Sequence, residues 1–202
     1  MKKLALFLTL AALAVISPEA SAQDNGFALT DWLTSSMIAW APPQGRGDTD
    51  EAHARSRYRD IASDIARVAL DPSEPPLYAT RDGRARTALM LLSIAFWESG
   101  FLFDVDSGMC RPKTCDDGTA FTLWQLHPQR GAKKEGFKFV GDGWAYAPDG
   151  YDGPALVKDR VLAARISLHL ARRHIGAWTT ATRAMNHAAS WWAGHPFGGP
   201  GR

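Results

Sequence analysis

The sequence predicts a mainly α-helical domain built around one buried central helix, with a small hairpin or irregular loop region set into it. Three observations carry this expectation. Residues 49–70 and 154–174 bear apolar side chains at helical spacing, and residues 88–97 are apolar at every position except Ser93. A short stretch, residues 137–146, alternates around Gly141-Asp142-Gly143 in the manner of a hairpin.

Taken in order, Lys2 and Lys3 precede an apolar run over residues 4–16, and Ala20-Ser21-Ala22 then supplies small side chains at cleavage spacing. That order predicts a secretory signal peptide over residues 1–22 and an exported protein, periplasmic or secreted. The apolar run is shorter than the ~20 residues needed to span a bilayer. No stable membrane anchor is therefore expected after cleavage. The mature chain of about 180 residues suits one domain. Loss of Lys2, Lys3 and Glu19 leaves 21 basic against 20 acidic residues, a balance that argues against a nucleic-acid partner.

Residues 23–48 read as a docking helix and linker, since an amphipathic stretch over 26–40 runs into Pro42-Pro43 and then into a Gly-rich, charged segment. The main domain spans 49–194, with a Gly/Pro tail over 195–202. Thr49 is the expected N-cap of its first helix, which places Tyr58, Ile61, Ala62, Ile65, Val68 and Ala69 on one face and stops at Asp71-Pro72. The central helix covers 85–98 and stops at Gly100. An irregular region follows to about residue 119, then 120–126 sets Gln125 among apolar neighbours. Pro154 opens a long helix to His174, and a last helix is expected over 179–192. Cys110 and Cys115, the two cysteines of an exported chain, predict a local disulfide rather than a zinc site, which would need further soft ligands nearby.

Glu98 is the candidate catalytic residue. It lies four residues after Ile94 and seven after Leu91, so helical geometry aligns it with the buried stripe. It also ends the helix, where the macrodipole disfavours an anion, and it has Trp97 and Phe101 close by in sequence. Both effects are expected to favour the protonated carboxyl, the form that serves as a general acid. Cleavage of the acetal between two sugars needs such a donor on the leaving oxygen.

Glu98-Ser99-Gly100-Phe101 follows the buried helix, and Gly118-Thr119-Ala120-Phe121-Thr122-Leu123-Trp124-Gln125 comes after a loop. Further on stands Ala184-Met185-Asn186-His187-Ala188. With these three segments in this order, the chain resembles the lysozyme-like lytic transglycosylases over residues 85–192. That family carries a Glu-Ser-Gly-Phe motif, a Gly-Leu-Met-Gln-Leu motif and an Ala-Tyr-Asn-Ala-Gly motif. The resemblance implies a lysozyme-like catalytic domain and makes Glu98 the catalytic acid and base. It places Gln125 in the substrate groove and Asn186 at the sugar or at a supporting loop. Thr122 stands where the family has glycine, Met185 where it has a substrate-contacting tyrosine, and the Cys110 to Cys115 stretch falls within an insertion.

The implied reaction breaks the MurNAc-GlcNAc bond of peptidoglycan without water and yields 1,6-anhydro-muramoyl products. One carboxyl group suffices, and no cofactor or metal is called for. A hydrolase of peptidoglycan or of a chitin-like glycan is the alternative; it would more often use a second carboxylate, for which Asp104, Asp106, Asp116 and Asp117 are candidates by proximity. An inactive wall-binding or secretion-accessory domain is a further alternative, favoured by Thr122 and Met185. Ser99 is expected to orient either a backbone group or the Glu98 carboxylate. Of the eight tryptophans, Trp124 and Trp144 are expected to wall the groove, and Trp97, Trp178, Trp191 and Trp192 to pack in the core or at its edge.

Overall fold

The computed structural model describes the backbone of residues 18–110, 115, 118, 120–127, 137–140, 143–146, 153–174 and 186, and the side chains of 26–110, 115, 118, 120–127, 153–172 and 186. Its elements in chain order are α1 (Pro18–Trp40), α2 (Glu51–Leu70), α3 (Gly83–Ser99), α4 (Phe103–Asp106), β1 (Phe137–Val140), β2 (Gly143–Tyr146), α5 (Gly153–Lys158) and α6 (Arg160–His174). The fold is mainly α, as the periodicity predicts. Among the described residues, no helix is long and apolar enough to cross a membrane.

Helix α1 begins earlier than its amphipathic stretch suggests and runs through the Ala20-Ser21-Ala22 segment. Leu29, Leu33 and Met37 recur every four residues and enter the core together with Trp32. The hydroxyls of Thr30, Thr34, Ser35 and Ser36 each donate to the carbonyl four residues back, so these polar side chains are satisfied within the helix. Pro42 and Pro43 follow one residue beyond the helix end, and Tyr58 Oη on α2 donates to the Ala41 carbonyl at 2.9 Å. Helix α1 shares one hydrophobic core with α2, α3 and α6.

The six apolar positions expected on one face of α2 are all buried. Its N-cap is Asp50, one residue after the expected Thr49: the extended backbone of Asp50 (φ −159°, ψ 177°) lets its carboxylate accept from His53 N–H at 2.8 Å. Helix α3 is buried continuously from Thr87 to Ala95, which agrees with a central helix apolar nearly all round. It stops at Gly100, which takes the left-handed conformation (φ 58°, ψ 20°) while its N–H donates to the Phe96 carbonyl.

The hairpin is present, with β1 and β2 antiparallel and Phe137 opposite Tyr146, Phe139 opposite Trp144. The single helix expected from Pro154 is instead two. Asp159 interrupts it, because its carboxylate accepts from Leu162 N–H at 2.9 Å and thereby caps a new helix, α6. The last helix expected over 179–192 lies outside the described residues except for Asn186, which is helical.

Charged contacts lock these helices together. Arg57 on α2 is buried and forms a two-pronged contact with Asp48, at 2.8 and 2.6 Å. It reaches Asp106 on α4 at 3.5 Å, and Asp106 in turn is gripped by Arg160 of α6 at 3.1 and 3.0 Å. Arg160 also donates to Asp64 of α2 at 2.9 Å. A second cluster seats the loop after α2 on α6: buried Glu74 lies 2.9 Å from His169 and 3.5 Å from Arg172, and Asp71 lies 2.8 Å from Arg165.

Burial pushes the Asp48 carboxyl up, but the Arg57 guanidinium, helped by His53, outweighs it and holds Asp48 below the usual carboxylate range. A lowered folded-state value adds stability above the ordinary carboxylate range, and that stability is lost as pH falls through the lowered value. The stability gap between the native chain and Asp48→Asn should therefore be largest near neutrality and shrink on acidification, as urea unfolding at several pH values will show. A gap independent of pH contradicts this. Arg57→Met leaves Asp48 and Asp106 buried without their shared cation and should cost about 3–5 kcal/mol. A loss below about 1 kcal/mol would show that the buried cluster matters little.

Candidate active site

Helix α3 reaches solvent at one place in its second half. Residues 87–95 are buried, Phe96 is half-buried, Trp97 is 47% exposed, Glu98 is half-buried, and Ser99 is buried again. Glu98 continues the line of Leu91 and Ile94, both fully buried, but the helix end carries it to the rim of the core rather than into it. Trp97 is correspondingly exposed: of the two places expected for it, core or edge, it takes the edge, against Phe96.

The residues after Glu98 fix where the helix ends. Ser99 Oγ donates to the Ala95 carbonyl at 2.7 Å and accepts from Phe101 N–H at 3.2 Å. Of the two roles expected for it, the hydroxyl thus holds backbone groups. Gly100 and Phe101 are both left-handed (φ 58° and 57°), which turns the chain sharply and drives the Phe101 ring into the core. There it meets Tyr58 at 5.7 Å and Phe96 at 5.8 Å between ring centroids. Arg57 Nη2 donates to the Phe101 carbonyl at 3.0 Å and Arg46 Nη1 to the Gly100 carbonyl at 3.3 Å. These two arginines satisfy carbonyls just beyond a helix C-terminus, where the dipole favours cations.

The second segment forms a four-residue loop clasped by a mutual pair of hydrogen bonds between Phe121 and Leu126, at 2.9 and 2.8 Å. Thr122 and Gln125, the first and last loop residues, are left-handed (φ 67° and 48°). Leu123 and Trp124 point inward and are fully buried. Trp124 therefore does not wall a groove: its indole N–H donates to the Leu91 carbonyl at 3.0 Å, which secures this loop to α3 two turns before Glu98. Gln125 is half-buried, and its Nε2 donates to the Thr122 carbonyl at 3.2 Å and to Cys115 Sγ at 3.5 Å.

Cys110 and Cys115 form the expected disulfide, with Cα atoms 6.0 Å apart. Cys115 is buried beside Val105 and Ala120. Among the other expected site residues, Asn186 is exposed. Trp144 lies on β2, and its side chain, like Met185 and residues 184 and 187–192, falls outside what is described.

Two of the four candidate second carboxylates are placed. Asp106 is buried between Arg57 and Arg160, where both of its oxygens are engaged by guanidinium groups. Asp104 is half-buried and accepts from Val105 N–H at 2.9 Å. Asp116 and Asp117 lie outside the described residues. Among the described residues, no group of three or more His, Cys, Asp or Glu side chains is arranged to hold a metal ion.

Arg46 and Arg57 were not singled out by the sequence reading. For Arg57 a signal exists: it sits three residues after Ala54 and four before Ile61, on the apolar stripe of α2, where a charged residue must find partners. Compared with known proteins, the chain matches no protein-family model, no curated protein and no solved structure.

A β-branched residue at positive φ is strained, and Thr122 occupies a position at which the turn suits glycine. Thr122→Gly should therefore be more stable than Thr122→Ala by about 1 kcal/mol, because both lose the hydroxyl and only glycine relieves the backbone. Thermal denaturation of the two variants checks this. Alanine being the more stable would show that the loop does not hold a left-handed residue there.

Proposed function

We propose that this chain is an exported, lysozyme-like enzyme that cleaves the glycan strands of peptidoglycan by lytic transglycosylation. The observation that carries the reading is the way α3 surfaces: a helix buried through nine consecutive residues, 87–95, delivers a half-buried carboxyl, Glu98, to its one outlet in that half, beside an exposed indole. A rigid, packed helix is the kind of support that holds a catalytic group in place. The disulfide fits an oxidising compartment outside the cytosol.

In this mechanism Glu98 donates its proton to the glycosidic oxygen as the bond from the anomeric carbon of N-acetylmuramic acid breaks. The carboxylate then takes the proton from the 6-hydroxyl of the same muramic acid while that oxygen bonds to the anomeric carbon. The proton count closes, water is not consumed, and a 1,6-anhydro ring results. Asp106, engaged by two arginines, is unsuited to activating water.

Digestion of purified peptidoglycan followed by mass spectrometry should show anhydro-muropeptides, and Glu98→Gln should lower the rate by at least about a hundredfold with the fold unchanged by circular dichroism. Products with reducing ends would assign hydrolysis instead. Full activity in Glu98→Gln would remove Glu98 from the chemistry.

A further inference from the structure

We infer that Trp97 is a stacking platform for the saccharide ring next to the bond that Glu98 cleaves, and so sets glycan affinity. This rests on the reading of Glu98 as the proton donor. Among the described tryptophans, Trp32 and Trp124 are buried at 6% and 1% exposure and Trp40 is half-buried against Phe96, whereas Trp97 is 47% exposed. Its position is also specific. α3 is otherwise buried through its second half, and it opens to solvent with these two side chains together.

The indole is held, not loose. Phe96 meets it edge-on at 5.7 Å and an interplanar angle of 66°. Phe96 is itself braced by Trp40 at 5.6 Å and by Phe101 at 5.8 Å. A ring fixed in orientation before binding loses little freedom when a ligand arrives, which is the condition for an effective stacking surface. A pyranose offers apolar C–H faces to such a ring while its hydroxyls stay in water. Successive helical residues diverge by about 100°, so a sugar lying on Trp97 does not cover the Glu98 carboxyl. It therefore occupies the neighbouring subsite and leaves the scissile oxygen to Glu98.

Binding is best measured by calorimetry on the full chain carrying Glu98→Gln, so that the probe is not consumed. The probe is a soluble tetrasaccharide of alternating N-acetylglucosamine and N-acetylmuramic acid. Adding Trp97→Ala should weaken binding about fivefold to tenfold, Trp97→Phe should retain most of the affinity, and Trp97→Leu should not. In the active enzyme, Trp97→Ala should raise KM by a similar factor with kcat little changed, a split that general destabilisation does not produce. Leucine binding as well as tryptophan would overturn stacking, as would alanine without effect. Self-association abolished by Trp97→Ala, with glycan affinity intact, would make the indole a contact between copies instead. If Glu98→Gln is inactive while Trp97→Ala leaves affinity unchanged, only this inference fails. An active Glu98→Gln enzyme, or no tetrasaccharide binding at all, removes the reading beneath it as well.

Discussion

The guanidinium of Arg57 is the point at which the architecture is decided. One buried cation on α2 engages Asp48 from the segment before that helix, Asp106 from α4 and the carbonyl of Phe101 just beyond α3. Through Asp106 the same cluster extends to Arg160 and Asp64, which brings in α6. Apolar packing alone tolerates sliding and rotation of helices, because hydrophobic attraction has no direction. Buried charges are costly unless each meets its partner in good geometry, so the cluster is satisfied in few arrangements. The Tyr58 and Phe103 rings lie 5.4 and 5.7 Å from the same guanidinium, which leaves little room for it to move.

The position of Glu98 follows from this hub in a short chain of contacts. Arg57 holds the Phe101 carbonyl, the Phe101 ring is inserted between Tyr58 and Phe96, and Ser99 closes the turn between them. Trp124 then secures the Gln125 loop to the same helix through Leu91. The Glu-Ser-Gly-Phe segment thus divides its labour: the glutamate lies half-buried at the rim of the core, the serine bridges backbone groups, the glycine allows the turn and the phenylalanine anchors it.

Helix α2 was legible because burial there follows a repeat in its own residues, and α3 because it is apolar nearly all round. What was not legible depended on partners distant in sequence. Trp124 was expected to wall a groove, but its indole finds a carbonyl on α3 that only the folded chain supplies, while Trp97 takes the edge position that was one of its two expected places. Arg57 on an apolar stripe signals that a counter-charge is needed, yet nothing local says that Asp48 and Asp106 provide it. The break at Asp159 was available in the sequence as a capping residue, but the apolar spacing on either side continues across it and masks the interruption. The backbone of the Gln125 loop was hidden for another reason: its left-handed residues are Thr and Gln, which give no sign of the conformation that glycine would have announced.

The clasp between Phe121 and Leu126 ties this loop to one length. Two reciprocal hydrogen bonds fix the distance between its ends, and the inward pair Leu123 and Trp124 fixes its phase relative to α3. One inserted or deleted residue would break the pairing or turn the indole away from Leu91, whereas a replacement at position 122 alters strain without altering the path. The path of the loop therefore depends on its length more than on the side chain at position 122.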